Sequence, residues 1–302
     1  MNLLNLNKLA KQITNSYKHI SVFGILLIVL IIILFIYKIF RYDGDKMEGF
    51  EQQEKFIQLK GLDIYDDFYA SVFNTLTNRN IVSNLEIGTI LETNKTTSES
   101  IILDVGCRIG GKNINMTKNL EIIGIDTSKH MVKKAMMDYP DLKFMVGNVL
   151  NSAQFKPTSF THIIAIDMVI YGFKDKRLFI NNCFDWLMPG GFFTVHLVDT
   201  TNFSPPDVQL PIQIIPESSL TSNSSEISYT ASYNKNKNNT ITIDEKFVFN
   251  NGNIRKQEET LYMEDKEVIL TIIQQTGFIL NSINELANLS YGTQFIYTFI
   301  KP

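Results

Sequence analysis

Ile101-Ile102-Leu103-Asp104-Val105-Gly106-Cys107-Arg108-Ile109-Gly110-Gly111 decides the fold. Its first five residues read as a strand buried on both faces. The strand stops at a glycine-rich turn, and a carboxylate stands two residues before the first glycine. Glycine at such a turn permits positive φ and lets a ligand approach the backbone closely. Comparable apolar runs follow, and the pattern predicts strands over 101–105, 121–125, 142–146, 160–166 and 191–198. Helices are expected over 110–118, 128–138 and 175–187. Pro189-Gly190-Gly191 is expected to end the last of these before the fifth strand. The alternation predicts βαβ units around a parallel sheet.

Polar residues recur at the predicted strand ends. Asp104, Gly106, Cys107 and Gly110 belong to the first loop. Asp126, followed by Thr127, ends Ile122-Ile123-Gly124-Ile125-Asp126. Asn148, followed by Val149, ends Phe144-Met145-Val146-Gly147-Asn148, and Asp167 ends Ile163-Ile164-Ala165-Ile166-Asp167. Open α/β sheets bind ligands at the carboxyl ends of their strands. The spacing suits S-adenosylmethionine (AdoMet). An acid after the second strand accepts hydrogen bonds from both ribose hydroxyls, and an amide after the third reaches the adenine amino group. Asp104 lies near the methionine amino group or orients the loop. The glycine loop alone is also found in nicotinamide enzymes.

With Leu187-Met188-Pro189-Gly190-Gly191 and the terminal Phe295-Ile296-Tyr297-Thr298-Phe299-Ile300, the series resembles the class I AdoMet-dependent methyltransferases over roughly residues 60–302. The resemblance implies a Rossmann-like seven-stranded α/β sheet whose last strand runs antiparallel between the fifth and sixth. The family loop, acid-X-Gly-X-Gly-X-Gly, falls on Asp104, Gly106, position 108 and Gly110. It implies a ribose-binding role for Asp126 and an adenine-binding role for Asn148. Position 108 departs from it, because Arg108 replaces the usual glycine. That side chain crowds the methionine moiety, points outward or pairs with the AdoMet carboxylate. The family also often has a cysteine at the place of Cys107, which otherwise reads as a small packed hydrophobe.

Residues 200–262 break the rhythm and read as a β-rich insertion after strand 5, a candidate substrate lid. Within it, 221–240 reads as loop, while Thr240–Phe249 and Ile254–Met263 read as paired strands around Asn250-Asn251-Gly252-Asn253. A helix near 265–276 and strands near 278–284 and 293–300 complete the chain. Ile64, Phe68, Val72 and Leu76 repeat at helical spacing, and Tyr65 and Tyr69 on that pattern are expected to share a helix face. They contact ligand or pack in the core.

The N-terminus carries a separate signal. Val22 to Tyr37 contains no charge, and a helix of about 20 residues rises roughly 30 Å, the thickness of a bilayer core. A transmembrane signal anchor is expected over 21–40, after a tail over 1–20 and before a juxtamembrane linker over 41–60. No small-residue cleavage site follows the run. Lys38, Arg41, Lys46 and Lys55 after it slightly outnumber Lys8, Lys11 and Lys18 before it, so a single-pass membrane protein with a cytosolic domain is expected. With this anchor, and an opening at Leu62-Asp63-Ile64-Tyr65-Asp66-Asp67-Phe68-Tyr69-Ala70 that looks like the family's cofactor-capping helix, the chain weakly resembles methyltransferase-like proteins of large DNA viruses.

The formal charge of −3 gives no field favouring nucleic acid, and none is expected as partner. Two cysteines and four scattered histidines give neither a disulfide framework nor a metal set. Methyl transfer needs alignment of an acceptor and exclusion of water. A base is needed only if the acceptor must lose a proton, and Asp167, Tyr171 and His196 are the candidates. No amide-methylating Asn-Pro-Pro-Tyr motif follows the fourth strand. The expected function is membrane-anchored methyl transfer to a small molecule, lipid or protein. The alternatives are a non-catalytic AdoMet-binding or scaffold protein and an NAD(P)-dependent oxidoreductase.

Overall fold

The computed structural model describes residues 28–31, 54–77, 96–110, 120–203, 208–214, 227–286 and 293–302. The chain divides into two units, 1–49 and 50–302. In the first, residues 28–31 are helical with exposed apolar side chains. The rest of the expected 21–40 span lies outside the described residues, as does the expected helix after the glycine loop. No described helix is long and apolar enough to cross a membrane.

Among the described residues, the second unit holds two sheets. The larger contains β2 (Ile101–Val105), β3 (Glu121–Asp126), β4 (Lys143–Val146), β5 (Phe160–Ala165), β6 (Leu187–Val198), β11 (Ile279–Leu286) and β12 (Gln294–Ile300). Their order is β4-β3-β2-β5-β6-β12-β11. β2 to β6 pair in parallel, and β12 runs antiparallel to both β6 and β11. This is the expected topology. Leu103, Ile163, Phe193 and Phe299 are fully buried in its core beside Trp186. The helices α2 (Lys129–Asp138), α3 (Lys176–Trp186) and α4 (Lys266–Thr276) start at side-chain caps. Ser128 Oγ accepts from Met131 N–H at 3.1 Å, and Asp175 Oδ1 accepts from Leu178 N–H at 2.9 Å. Gly277, at φ +111°, closes α4.

Pro189-Gly190-Gly191 does not form the turn between α3 and β6. The helix ends at Trp186, and β6 begins at Leu187. The glycines lie within the strand and pair with the chain end: Gly190 N–H donates to Lys301 O at 2.7 Å, and Lys301 N–H to Gly191 O at 2.9 Å.

The smaller sheet has order β1-β10-β9-β8-β7, from β1 (Phe56–Lys60), β7 (Val208–Ile214), β8 (Ile227–Lys235), β9 (Thr240–Phe249) and β10 (Ile254–Tyr262). Two expectations are corrected here. Residues 56–60 are no mere connector but a strand paired in parallel with β10, and Ile227–Lys235 is a strand rather than loop. Both alternate with period two, one face inward. The inward face presents Ile227, Tyr229, Ala231, Phe247 and Phe249 to Phe68, Val72 and Phe73 of α1 (Asp67–Thr77). The helix starts after Tyr65, so Tyr65 and Tyr69 do not share a helix face. Gly61–Ile64 is a single 3₁₀ turn ahead of it, and Tyr69 N–H bonds Asp66 Oδ1 at 3.0 Å.

Candidate cofactor and acceptor site

The β2 loop is held by its own backbone. Gly106 and Cys107 N–H both donate to Ile125 O, at 2.9 and 3.1 Å, and Gly110 N–H donates to Cys107 O at 2.9 Å. Gly106 has φ +68°, and a Cβ there would stand 2.3 Å from Val169 Cγ2 in the turn after β5. Left-handed strain and overpacking together set the cost of any side chain at about 2–4 kcal/mol. Arg108 itself has φ +52°. The loop therefore keeps at position 108 the left-handed backbone that glycine adopts freely, with arginine bearing the strain.

Its side chain offsets that strain. The guanidinium pairs with the Asp167 carboxylate and lies 5.1 Å from the Phe73 ring centroid. Burial alone would lower its pKa, but Asp167, Tyr65, Glu259 and Asp126 raise it above the ordinary arginine range. Arg108 thus crosses from the glycine loop to the β5 end and stays charged. Asp167 and Met168 also have positive φ, at 58° and 60°. Such conformations cost energy and cluster at functional sites.

Asp126 closes the loop from the other side. Its Oδ2 accepts from Arg108 N–H at 3.1 Å, and its Oδ1 accepts from Ser128 N–H at 2.8 Å. Burial raises its pKa, opposed by those N–H bonds. Thr127 beside it is exposed. Asn148 is exposed at the β4 end, and its Oδ1 accepts from Leu150 N–H at 2.9 Å. That turn leaves the amide nitrogen outside the bond. Val149 is buried, its carbonyl bound by Asn182 Nδ2 at 2.9 Å. Asp104 is buried on β2 between Gly124 and Ile164. Cys107 is buried, and desolvation, then Asp104 and Asp126, push its thiol pKa up.

The base candidates separate. Asp167 is in the cluster. Tyr171 is fully buried in the core, and its hydroxyl accepts from Val198 N–H at 3.0 Å. Burial raises its pKa, so it is set apart from any substrate proton. His196 is buried within β6, opposite Ile296. Among the described residues no group of three His, Cys, Asp or Glu side chains could hold a metal ion.

Sequence reasoning missed Glu259. It stands on the inward face of β10 and accepts a short hydrogen bond from the Tyr65 hydroxyl. Burial first, then Glu259, raises the Tyr65 pKa. The Tyr65 carbonyl accepts from Ser128 Oγ at 2.6 Å, two residues past Asp126. Alternation on β10 places Arg255, Gln257 and Glu259 on one face, which was the readable signal. The partner 194 positions away was not readable.

Residues 102–191 match the family model described as a methyltransferase domain. Over that stretch the chain is similar to methyltransferase domains. The match spans β2 through the start of β6, including the loop, Asp126, Asn148 and Asp167. Over 96 residues the chain is 32% identical to phosphoethanolamine N-methyltransferase 1 of Triticum aestivum. That covers 30% of this chain and 19% of the relative, so the chain matches about a fifth of that relative's length. Among solved structures, the methyltransferase fold is shared with AdoMet-bound CalS10, an amino pentose methyltransferase from Micromonospora echinaspora. There the TM-score is 0.55 at 14% identity, over 72% of this chain and 90% of that one. It is shared also with the [4+2]-cyclase SpnF (TM-score 0.52, 13% identity, 80% and 95% covered). These two likenesses concern the fold alone.

Proposed function

We propose that this protein is an AdoMet-dependent methyltransferase acting on a small amine, held at a membrane by residues 21–40. The observation that carries the reading is the Asp126 carboxylate at the tip of β3, tied to the glycine loop through Arg108 N–H. The fit of the donor rests on this chain's own groups. Asp126 receives the ribose hydroxyls, and the Asn148 amide faces the adenine edge. Arg108, held by Asp167, supplies a cation for the methionine carboxylate. AdoMet supplies a methyl group already activated by a sulfonium. The residues then need only align an acceptor and exclude water. An amine acceptor is supported by the name of the sequence relative, phosphoethanolamine N-methyltransferase 1.

A purified full-length chain, kept in detergent, should bind S-adenosylhomocysteine (AdoHcy) in calorimetric titration with micromolar affinity. No binding by a protein with an intact thermal transition would overturn the reading. The non-catalytic alternative has one observation in its favour, the Arg108–Asp167 ion pair across the loop. It expects AdoHcy binding without methyl transfer from labelled AdoMet to ethanolamine or phosphoethanolamine. β12, antiparallel between β6 and β11, speaks against the nicotinamide alternative.

The anchor rests on the uncharged Val22–Tyr37 run, and the domain is assigned to the cytosolic side, where AdoMet is made. The full chain expressed in cells should stay in the membrane pellet after alkaline carbonate extraction. Recovery in the supernatant would refute the anchor and leave the methyltransferase reading intact.

A further inference from the structure

We infer that Ser128 is a positioning residue of the donor site: its hydroxyl carries the grip of insertion strand β10 to the Asp126 carboxylate. The inference rests on the methyltransferase reading and adds that the insertion takes part in holding the donor.

The turn before α1 is bound to β10 at each of Ile64, Tyr65 and Asp66. Arg255 Nη2 donates to Ile64 O at 3.0 Å, the Tyr65 hydroxyl donates to Glu259, and Arg255 Nη1 pairs with Asp66 Oδ2 at 2.7 Å. This turn has a carbonyl to spare. In a continuous helix Tyr69 N–H would take the Tyr65 carbonyl. It donates instead to Asp66 Oδ1 at 3.0 Å, and α1 bonding begins with Ala70 N–H to Asp66 O at 3.0 Å. The Tyr65 carbonyl is left to accept from Ser128 Oγ at 2.6 Å.

Ser128 then joins two networks. A hydroxyl has a single hydrogen to give, and here the Tyr65 carbonyl takes it, so the oxygen lone pairs turn to Met131 N–H at 3.1 Å as the cap of α2. The Ser128 N–H donates to Asp126 Oδ1 at 2.8 Å, while Arg108 N–H holds Oδ2 at 3.1 Å. Both carboxylate oxygens are thus oriented by backbone donors, and the Ser128 donor is the one placed from the insertion. The same bond acts on charge: the Ser128 N–H holds the Asp126 pKa down against burial. The titratable groups that act on Asp126 among the described residues are Arg108 and Cys107 of the glycine loop and Tyr65 of the turn. Ser128→Gly leaves all of them in place.

The test is calorimetric titration of the full chain in detergent with AdoHcy. Glycine is nearly as good a helix cap as serine, so Ser128→Gly should melt within about 3 °C of wild type. It should bind AdoHcy about fivefold more weakly, the worth of one hydrogen bond. Its loss of affinity on acidification should begin about half a pH unit higher, because Asp126 takes its proton earlier. Ser128→Thr keeps the hydroxyl and should bind within about twofold of wild type. Arg255→Met cuts the same path at its far end. It should weaken binding alone and add less than about twofold to Ser128→Gly. Wild-type affinity in either Ser128→Gly or Arg255→Met would overturn the inference. So would an unmoved pH dependence in Ser128→Gly, a threonine variant as weak as the glycine one, or fully additive losses in the double variant. If wild type fails to bind AdoHcy at all, the methyltransferase reading falls and takes this inference with it.

Discussion

Asp126→Ala is expected to lower AdoHcy affinity by two to four orders of magnitude. Two ribose hydroxyls donating to an ionised carboxylate are worth about 1.5–3 kcal/mol each, and a tenfold change corresponds to about 1.4 kcal/mol. The substitution also leaves Arg108 N–H and Ser128 N–H without their acceptor, which loosens the loop. Asp126→Asn retains one acceptor oxygen and should fall between. The pH dependence has a definite sign. Burial raises the Asp126 pKa, so protonation begins above the ordinary carboxylate value of about 4. Binding needs the ionised form, and affinity should decline on acidification through that raised pKa. The folding contribution runs the other way. A carboxyl whose folded pKa is raised stabilises the free protein below its unfolded pKa, and that contribution is lost as pH rises through the folded value. Acidification therefore favours the free protein in the window where ligand is released. Calorimetry of wild type and both variants between pH 5 and pH 8 checks this. Retention of affinity within tenfold in Asp126→Ala would remove the ribose assignment.

The second large effect is structural. Arg255→Ala should cost about 3 kcal/mol, a drop in melting temperature of about 10 °C. Arg255 is completely buried. Its Nη1 pairs with Asp66 Oδ2 at 2.7 Å, Nη2 donates to Ile64 O at 3.0 Å, and Nε donates to Gln257 Oε1 at 2.9 Å. The guanidinium lies 4.7 Å from the Phe68 ring centroid. Alanine leaves those acceptors without their donor and opens a cavity between β10 and the start of α1. The figure stays at the low end for broken buried pairs because Asp66 is partly solvated. Arg255→Met fills much of the space and should lose less than alanine. A thermal melt of both decides it. A fall of under 3 °C in Arg255→Ala would show that the small sheet holds α1 by its apolar contacts alone.

The larger sheet was legible because each of its first four strands is an apolar run with a polar candidate ligand group at or near its end. Ile101–Val105 and Ile122–Asp126 carry that signal locally. The smaller sheet was only half legible. Thr240–Phe249 and Ile254–Tyr262 announce themselves through a turn, whereas Ile227–Lys235 hides Ile227, Tyr229 and Ala231 among serines, threonines and asparagines of an exposed face. Phe56–Lys60 hides in the same way. The site divides likewise. Asp126 and Asp167 follow from strand ends. The crossing of Arg108 to Asp167 and of Glu259 to Tyr65 depends on tertiary approach, which no local pattern encodes. The 3₁₀ turn at Gly61–Ile64 broke the helix inferred from Ile64 and Phe68, because spacing alone does not report where the chain changes pitch.

The parallel pairing of β1 with β10 has a consequence for synthesis. Lys60 and Glu258, an ion pair across that ladder, are 198 positions apart. Closing a loop of that length costs on the order of 5 kcal/mol of chain entropy. Phe56–Lys60 emerges from the ribosome long before Ile254–Tyr262, and at roughly 5–20 residues per second it waits some 10–40 s for its partner. During that interval it is an edge strand bearing Phe56, Ile57 and Leu59 with no neighbour to pair with, open to mispairing with other nascent chains. The small sheet closes only when β10 emerges, and β11 and β12 complete the larger sheet after it.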